Sequence, residues 1–191
     1  MQQVRCGWVT NDPVYIQYHD EEWGKPEFDT EKLFEMLCLE GQQAGLSWLT
    51  ILKKRNSYRE IFQGFTPSKV ANFTDEDVKR ILIDARIIRH KGKIEAIIQN
   101  AKAYLEMEKK DENFSEFIWD FVSNKPIINN WSDIKEIPTK TAESIALLST
   151  ALKSRGFKFV GPTICYAFMQ ACGLINDHTL NCFVTKKNRD N

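Results

Sequence analysis

Apolar residues along the 191-residue chain recur mostly at three- and four-residue intervals, the period of amphipathic helices. Asp29 is suited to cap a helix that opens with acidic Glu31 and carries Leu33, Phe34 and Leu37 on one face. This first long helix is expected to carry on through Glu40 toward Trp48. Thr66-Pro67 reads as an N-cap followed by proline at the first helical position. Thr74 to Asp77 forms a capping-box variant ahead of Val78, Ile81 and Leu82. Ile94, Ile97, Ile98, Ala101 and Leu105 predict a long helix over 91–109. Shorter helices are predicted from Phe114 to Val122 and from Thr141 to Ser154, the latter with Ile145, Leu148 and Leu152 facing inward. Alternating runs are scarce, so the fold class predicted is all-α. Asn56, Lys110 and the stretch 124–139 read as breaks between helices. The pattern suits one unit, with a helical bundle over about 31–139, a second lobe from 1–30 and 140–182, and a polar, basic, flexible tail over 183–191.

Composition narrows the class. A 42% hydrophobic content can fill a core, while no apolar run is long enough to cross a bilayer. The first residues lack the apolar centre of a secretion signal, so a cytoplasmic protein with no membrane partner is expected. Five cysteines, an odd number, fit a disulfide scaffold poorly. Cys38, Cys165 and Cys172 lie in apolar helical surroundings and read as small core residues. Lysine plus arginine equals aspartate plus glutamate at 26 each, which gives no support for a nucleic-acid partner from net charge. The basic clusters at 53–55, 86–93, 153–158 and 186–189 read individually as solvated helix faces.

Three constellations carry candidate chemistry. In Arg155 to Thr163 a helix ends at Gly156 and another starts at Gly161-Pro162, running to Gly173. Such a helix-hairpin-helix can hold a DNA phosphate on exposed N–H groups, with Lys158 adding a neutralising charge. An ordinary tight corner between helices gives the same pattern. Cys6 with His19, and His178 with Cys182, together make a Cys2His2 set, yet spacing leaves it open whether the two halves meet. Finally, Trp8, Tyr15, Tyr18 and Trp23 crowd the N-terminal segment, and Glu40 precedes Gly41 inside a helix, where glycine is unfavourable. A buried carboxylate beside aromatic faces would suit a planar cation. An exposed Glu40 next to a core tryptophan cluster fits equally.

Taken together and in order, the segments from Cys6 to Val9, Tyr15 to Gly24, Leu39 to Trp48, Gly156 to Gly161 and Asn176 to His178 resemble the signature segments of the bacterial 3-methyladenine DNA glycosylase I family. The resemblance spans Cys6 to Cys182. It implies a helix-hairpin-helix DNA glycosylase fold and one structural zinc on Cys6, His19, His178 and Cys182, joining the two chain ends. It also implies a pocket for an extruded base, with Glu40 as recognition residue among Trp8, Tyr18 and Trp48, and with Tyr15 and Trp23 as further wall residues. The activity implied is hydrolysis of the N-glycosidic bond of 3-methyladenine, with 3-methylguanine as a second substrate to be weighed, in double-stranded alkylated DNA. Gly156, Lys158, Gly161 and Thr163 are the implied DNA contacts. Lys158 is the only lysine of the hairpin, which points to a monofunctional enzyme, and the chain is expected to act as a monomer. Other members of the superfamily use an aspartate after the hairpin to assist the sugar cation; Asp177 lies in a comparable stretch, but it adjoins the proposed ligand His178, which suits a purely structural role equally. The rival reading from another class is a zinc-stabilised DNA-binding module without catalysis.

Overall fold

The computed structural model describes residues 3–138 and 142–185, with the side chains of 142–146 set apart from that description. Among these residues helices dominate. They are α1 (Pro13–Glu21), α2 (Thr30–Gln43), α3 (Trp48–Ile61), α4 (Pro67–Val70), α5 (Asp75–Leu82), α6 (Lys91–Glu108), α7 (Phe114–Asp120), α8 (Ala142–Ser154) and α9 (Pro162–Ala171). The caps follow local chemistry. Asp29 accepts from the Lys32 amide, Thr74 and Asp77 close a reciprocal capping box, and Asn113 caps α7. Thr66 precedes Pro67 as expected but makes no side-chain cap bond.

α2 is the hub. It packs against α3, α6, α7 and α9, while α8 packs against α9 and α4 and α5 lie on α6. Leu33, Phe34, Leu37 and Leu39 of α2 are wholly buried, as are Ile94, Ile97 and Ala101 of α6 and Leu148 and Leu152 of α8. The expected inward position of Ile145 and a helix start at Thr141 lie outside the described residues and side chains. The exception to the helical pattern is a two-residue parallel pairing of β1 (Ile127–Ile128) with β2 (Ile175–Asn176), which fastens the 124–139 stretch to the chain after α9.

Three expectations are corrected. Asn56 does not break the chain, because α3 runs straight through it. Its neighbours Arg55 and Tyr58 are anchored by tertiary partners, Arg55 on Glu22 and Tyr58 in the core, and these outweigh the weak helix propensity of asparagine. Trp48 is not on the helix of Glu40. α2 ends at Gln43, the chain turns through Gly45, and Ser47 caps a new helix that Trp48 begins. Ordered structure also continues past Cys182. Val184 is buried, the Phe183 amide donates to the Val4 carbonyl at 2.8 Å, and Thr185 donates to the His178 and Thr179 carbonyls. The rest of the supposed tail, 186–191, lies outside the described residues.

Candidate base-binding cavity and metal cluster

The two ends of the chain meet. Cys6, His19, His178 and Cys182 are all buried, and their ligand atoms lie within 4.8 Å of one another. Three sulfur–nitrogen separations are 3.5 Å: Cys6 Sγ to His178 Nδ1, and Cys182 Sγ to both His178 Nδ1 and His19 Nε2. The outer ring nitrogens are occupied. His19 Nδ1 lies 2.7 Å from Asp20 Oδ1, and Asp20 in turn accepts from Arg5. His178 Nε2 lies 3.0 Å from the Trp23 carbonyl. Both outer partners are acceptors, so each ring turns a lone pair inward, the arrangement of histidines that hold a cation. Hydrogen bonding to Cys182 and burial push Cys6 up, while hydrogen bonding to Cys6, partly offset by burial, and contacts with both histidines pull Cys182 down. A group that can hold a metal ion is therefore present.

This cluster backs a cavity of about 340 Å³. The Trp8 ring sits 5.3 Å from the His19 ring, and the Trp23 ring 4.7 Å from the His178 ring, so the tryptophan wall rests on the donor set. Trp8 also meets Tyr15 and Trp23 at 4.9 Å each, and Tyr18 meets Trp48 at 5.6 Å. All five aromatic residues singled out from the sequence line this cavity, together with Glu40.

Glu40 is 3% exposed and its Oε2 has no hydrogen-bond partner among the described residues. Burial raises its carboxyl from the usual range to about 8. Tyr18 is pushed well above its usual value by burial and then by the Glu40 charge, so its hydroxyl remains a donor. That hydroxyl and the indole N–H groups of Trp8 and Trp48 are likewise buried without partners among the described residues. A cavity with four orphaned polar atoms among apolar rings is built to be filled by a ligand that pairs with them.

The sequence belongs to the methyladenine glycosylase family, whose pattern it matches over residues 8–185. Among curated members, the chain is 62% identical to DNA-3-methyladenine glycosylase 1 of Escherichia coli, with 93% of this chain and 95% of that protein covered. It is 60% identical to DNA-3-methyladenine glycosylase of Haemophilus influenzae, over 94% of this chain and 96% of that one. A crystal structure of 3-methyladenine DNA glycosylase I superposes with a TM-score of 0.93 at 58% identity, covering 94% and 98% of the two chains. A Staphylococcus aureus 3-methyladenine DNA glycosylase I, solved to explain 3-methyladenine recognition, superposes at 0.90 with 42% identity and 94% and 95% coverage.

Against this methyladenine glycosylase frame the remaining site residues fall into separate places. The turn over 155–161 joins α8 to α9, with Gly156 at φ 91 after α8 and Gly161 as the N-cap residue of α9. Thr163 lies on the cavity rim as well as at the start of α9. Lys158 is exposed and lines a different hollow with Lys102 and Phe159. It has no ion pair among the described residues, whereas Lys53, Arg55 and Arg86 of the other basic clusters are paired with Asp12, Glu22 and Asp84. Asp177 stands behind the cavity wall and not on it, its carboxylate taken up by four donors. Sequence reasoning missed the α9 face of Thr163, Tyr166, Ala167 and Gln170 as a cavity wall. Their i, i+3, i+4, i+7 spacing was the available signal.

Proposed function

We propose that this chain hydrolyses the N-glycosidic bond of 3-methyladenine in alkylated double-stranded DNA, taking the base into the Glu40 cavity. The observation that carries the reading is Glu40 itself: a buried carboxylate with an unpartnered oxygen, walled by tryptophan and tyrosine rings. Methylation at N3 leaves the nucleobase cationic and its glycosidic bond weak, so the protein's task is extrusion, recognition and exclusion of normal bases. A cation in the cavity offsets the burial penalty that otherwise keeps Glu40 protonated near neutral pH, and neutral adenine does not. The aromatic faces of Trp8, Tyr18 and Trp48 favour the same charge. Lys158, the one lysine of the hairpin, lines a different hollow, in keeping with hydrolysis without strand cleavage. The open amides at the start of α9, beside Gly161 and Thr163, suit a DNA phosphate, with Lys158 adding charge nearby.

The metal proposed for Cys6, His19, His178 and Cys182 is zinc. Tetrahedral zinc bonds of about 2.3 Å to sulfur and about 2.0–2.1 Å to nitrogen call for S···N edges of about 3.5 Å, in keeping with the separations above. Four protein ligands make the ion structural, a tie between the chain ends that supports the Trp8 and Trp23 wall. The reading also takes the protein to be a cytoplasmic monomer, with Cys38, Cys165 and Cys172 as buried, reduced thiols. The test is release of free bases from methylated duplex DNA, with unmethylated DNA as control. Release of 3-methyladenine without strand nicking is expected, and 3-methylguanine is scored in the same digest. Binding of DNA with no base released would favour the non-catalytic module instead.

A further inference from the structure

Asp177 is fully buried and collects donors from two parts of the fold. Its Oδ1 accepts from Asn129 at 2.8 Å and Trp131 at 2.6 Å, in the stretch after β1. Its Oδ2 accepts from the Gln170 amide at 2.7 Å and from the Tyr166 hydroxyl, both on the α9 wall of the cavity. A carboxylate oxygen only accepts, so the Gln170 amide must turn its NH2 end to Asp177 and its Oε1 away. No donor to Oε1 exists among the described residues. The Gln170 backbone is held too, its carbonyl accepting from the amides of Gly24 and Gly173. Gln43, the other cavity-lining amide, has no side-chain partner that sets its polarity among the described residues.

We propose that Gln170 is a specificity-determining residue, its Oε1 serving as a fixed acceptor for a 6-amino N–H of the base, with Asp177 as the positioning residue that sets the amide's polarity. This rests on the proposed base-excision reading and deepens it. The amino group of adenine carries two N–H donors, and Glu40 can take only part of that demand. A 6-oxopurine such as 3-methylguanine brings an acceptor to the same place. Two acceptors facing each other on the cavity wall leave both unpaired, which disfavours the oxo base.

The test compares free 3-methyladenine with 3-methylhypoxanthine, which differ at position 6, by tryptophan-fluorescence titration of the full chain. Wild type should prefer the amino base. Gln170→Leu keeps the bulk but removes the acceptor, and should lower that preference by about tenfold, mainly through weaker 3-methyladenine binding. Asp177→Asn should lower it as well, because an amide partner no longer fixes which end Gln170 presents. If Asp177→Asn does not fold, Gln170→Leu decides by itself. An unchanged preference in folded Gln170→Leu overturns the inference, whether affinities for both bases fall together or stay put. Failure of wild type to bind 3-methyladenine or to release it from methylated DNA would instead overturn the base-excision reading from which the inference starts.

Discussion

Gly41 lies so close to Phe159 that a Cβ added to it would sit 3.1 Å from the Phe159 Cβ and 3.4 Å from the Phe159 carbonyl oxygen. The helix that carries Glu40 thus rests directly on the hairpin turn, which explains a glycine inside α2. Neither neighbouring atom can swing away by changing rotamer. Gly41→Ala should gain about 1 kcal/mol in helix propensity and lose about 1–3 kcal/mol to overpacking. The expected result is a small net loss of stability in urea unfolding, with weaker 3-methyladenine binding as Glu40 shifts. A variant with wild-type stability and affinity would show that the hairpin yields easily.

Glu40→Gln preserves shape and removes the charge. Loss of a charge-assisted hydrogen bond of about 1.5–3 kcal/mol should weaken 3-methyladenine binding by roughly one to two decades. The same variant has a stability signature with a defined sign. Glu40 titrates near 4.5 when unfolded and at about 8 when folded, so the native state holds the extra proton between those values. Wild-type stability therefore falls as pH rises through this window, and levels off above it. Glu40→Gln should melt higher than wild type at pH 8–9, with the gap closing toward pH 4. A constant gap across that range would mean Glu40 is not buried as described.

Protein purified without chelator should contain one zinc per chain by elemental analysis. Asp20 receives the outer nitrogen of His19, so Asp20→Asn should reduce zinc affinity by about 10–100-fold while leaving all four ligands in place. Cys182→Ala should lower the melting temperature sharply, and chelation of the wild type should do the same. Zinc-free protein that melts like the untreated sample would remove the structural role.

Gly161 and Gly173 separate binding from folding. A Cβ at Gly161 meets nothing within 4 Å, and its φ of −65 suits any residue. At Gly173 the φ is +69 and a Cβ would fall 2.2 Å from the Lys25 carbonyl carbon. Gly161→Val should leave thermal stability nearly unchanged yet weaken DNA binding of every sequence, by blocking phosphate approach. Gly173→Ala should destabilise the fold outright. Full DNA affinity in Gly161→Val would place the backbone contact elsewhere.

Lys158→Ala removes a cation that no described residue pairs with. The slope of log affinity against log salt should shrink by about 0.9, one phosphate contact's worth. An unaltered slope would assign Lys158 to solvent alone.

The local code of this chain was legible wherever a short-range rule was strong. The Asp29 cap, the Thr74 capping box and the apolar stripe of α6 each rest on residues three or four positions apart, and they formed where that spacing put them. The aromatic wall and the Cys2His2 donors were visible as residue types. Asn56 misled because its helix is held by Arg55 and Tyr58 against distant elements, and Trp48 because Gly45 and Ser47 outweigh the apolar pattern around them.

Residue order alone determined the helical class, the caps, the hairpin and the set of chemically able side chains, since each depends on interactions within a turn or two. Tertiary structure decided what those side chains face. Cys6 and His178 are 172 positions apart and meet only when the chain ends fold together. Glu40 has no sequence mark of burial, and its raised carboxyl comes from packing that strips away water. Asp177 moved behind the wall and Gln170 onto it through hydrogen bonds that depend on where α9 and the loop after β1 converge. Desolvation and hydrogen-bond polarity are properties of an assembled volume, and a linear pattern does not contain them.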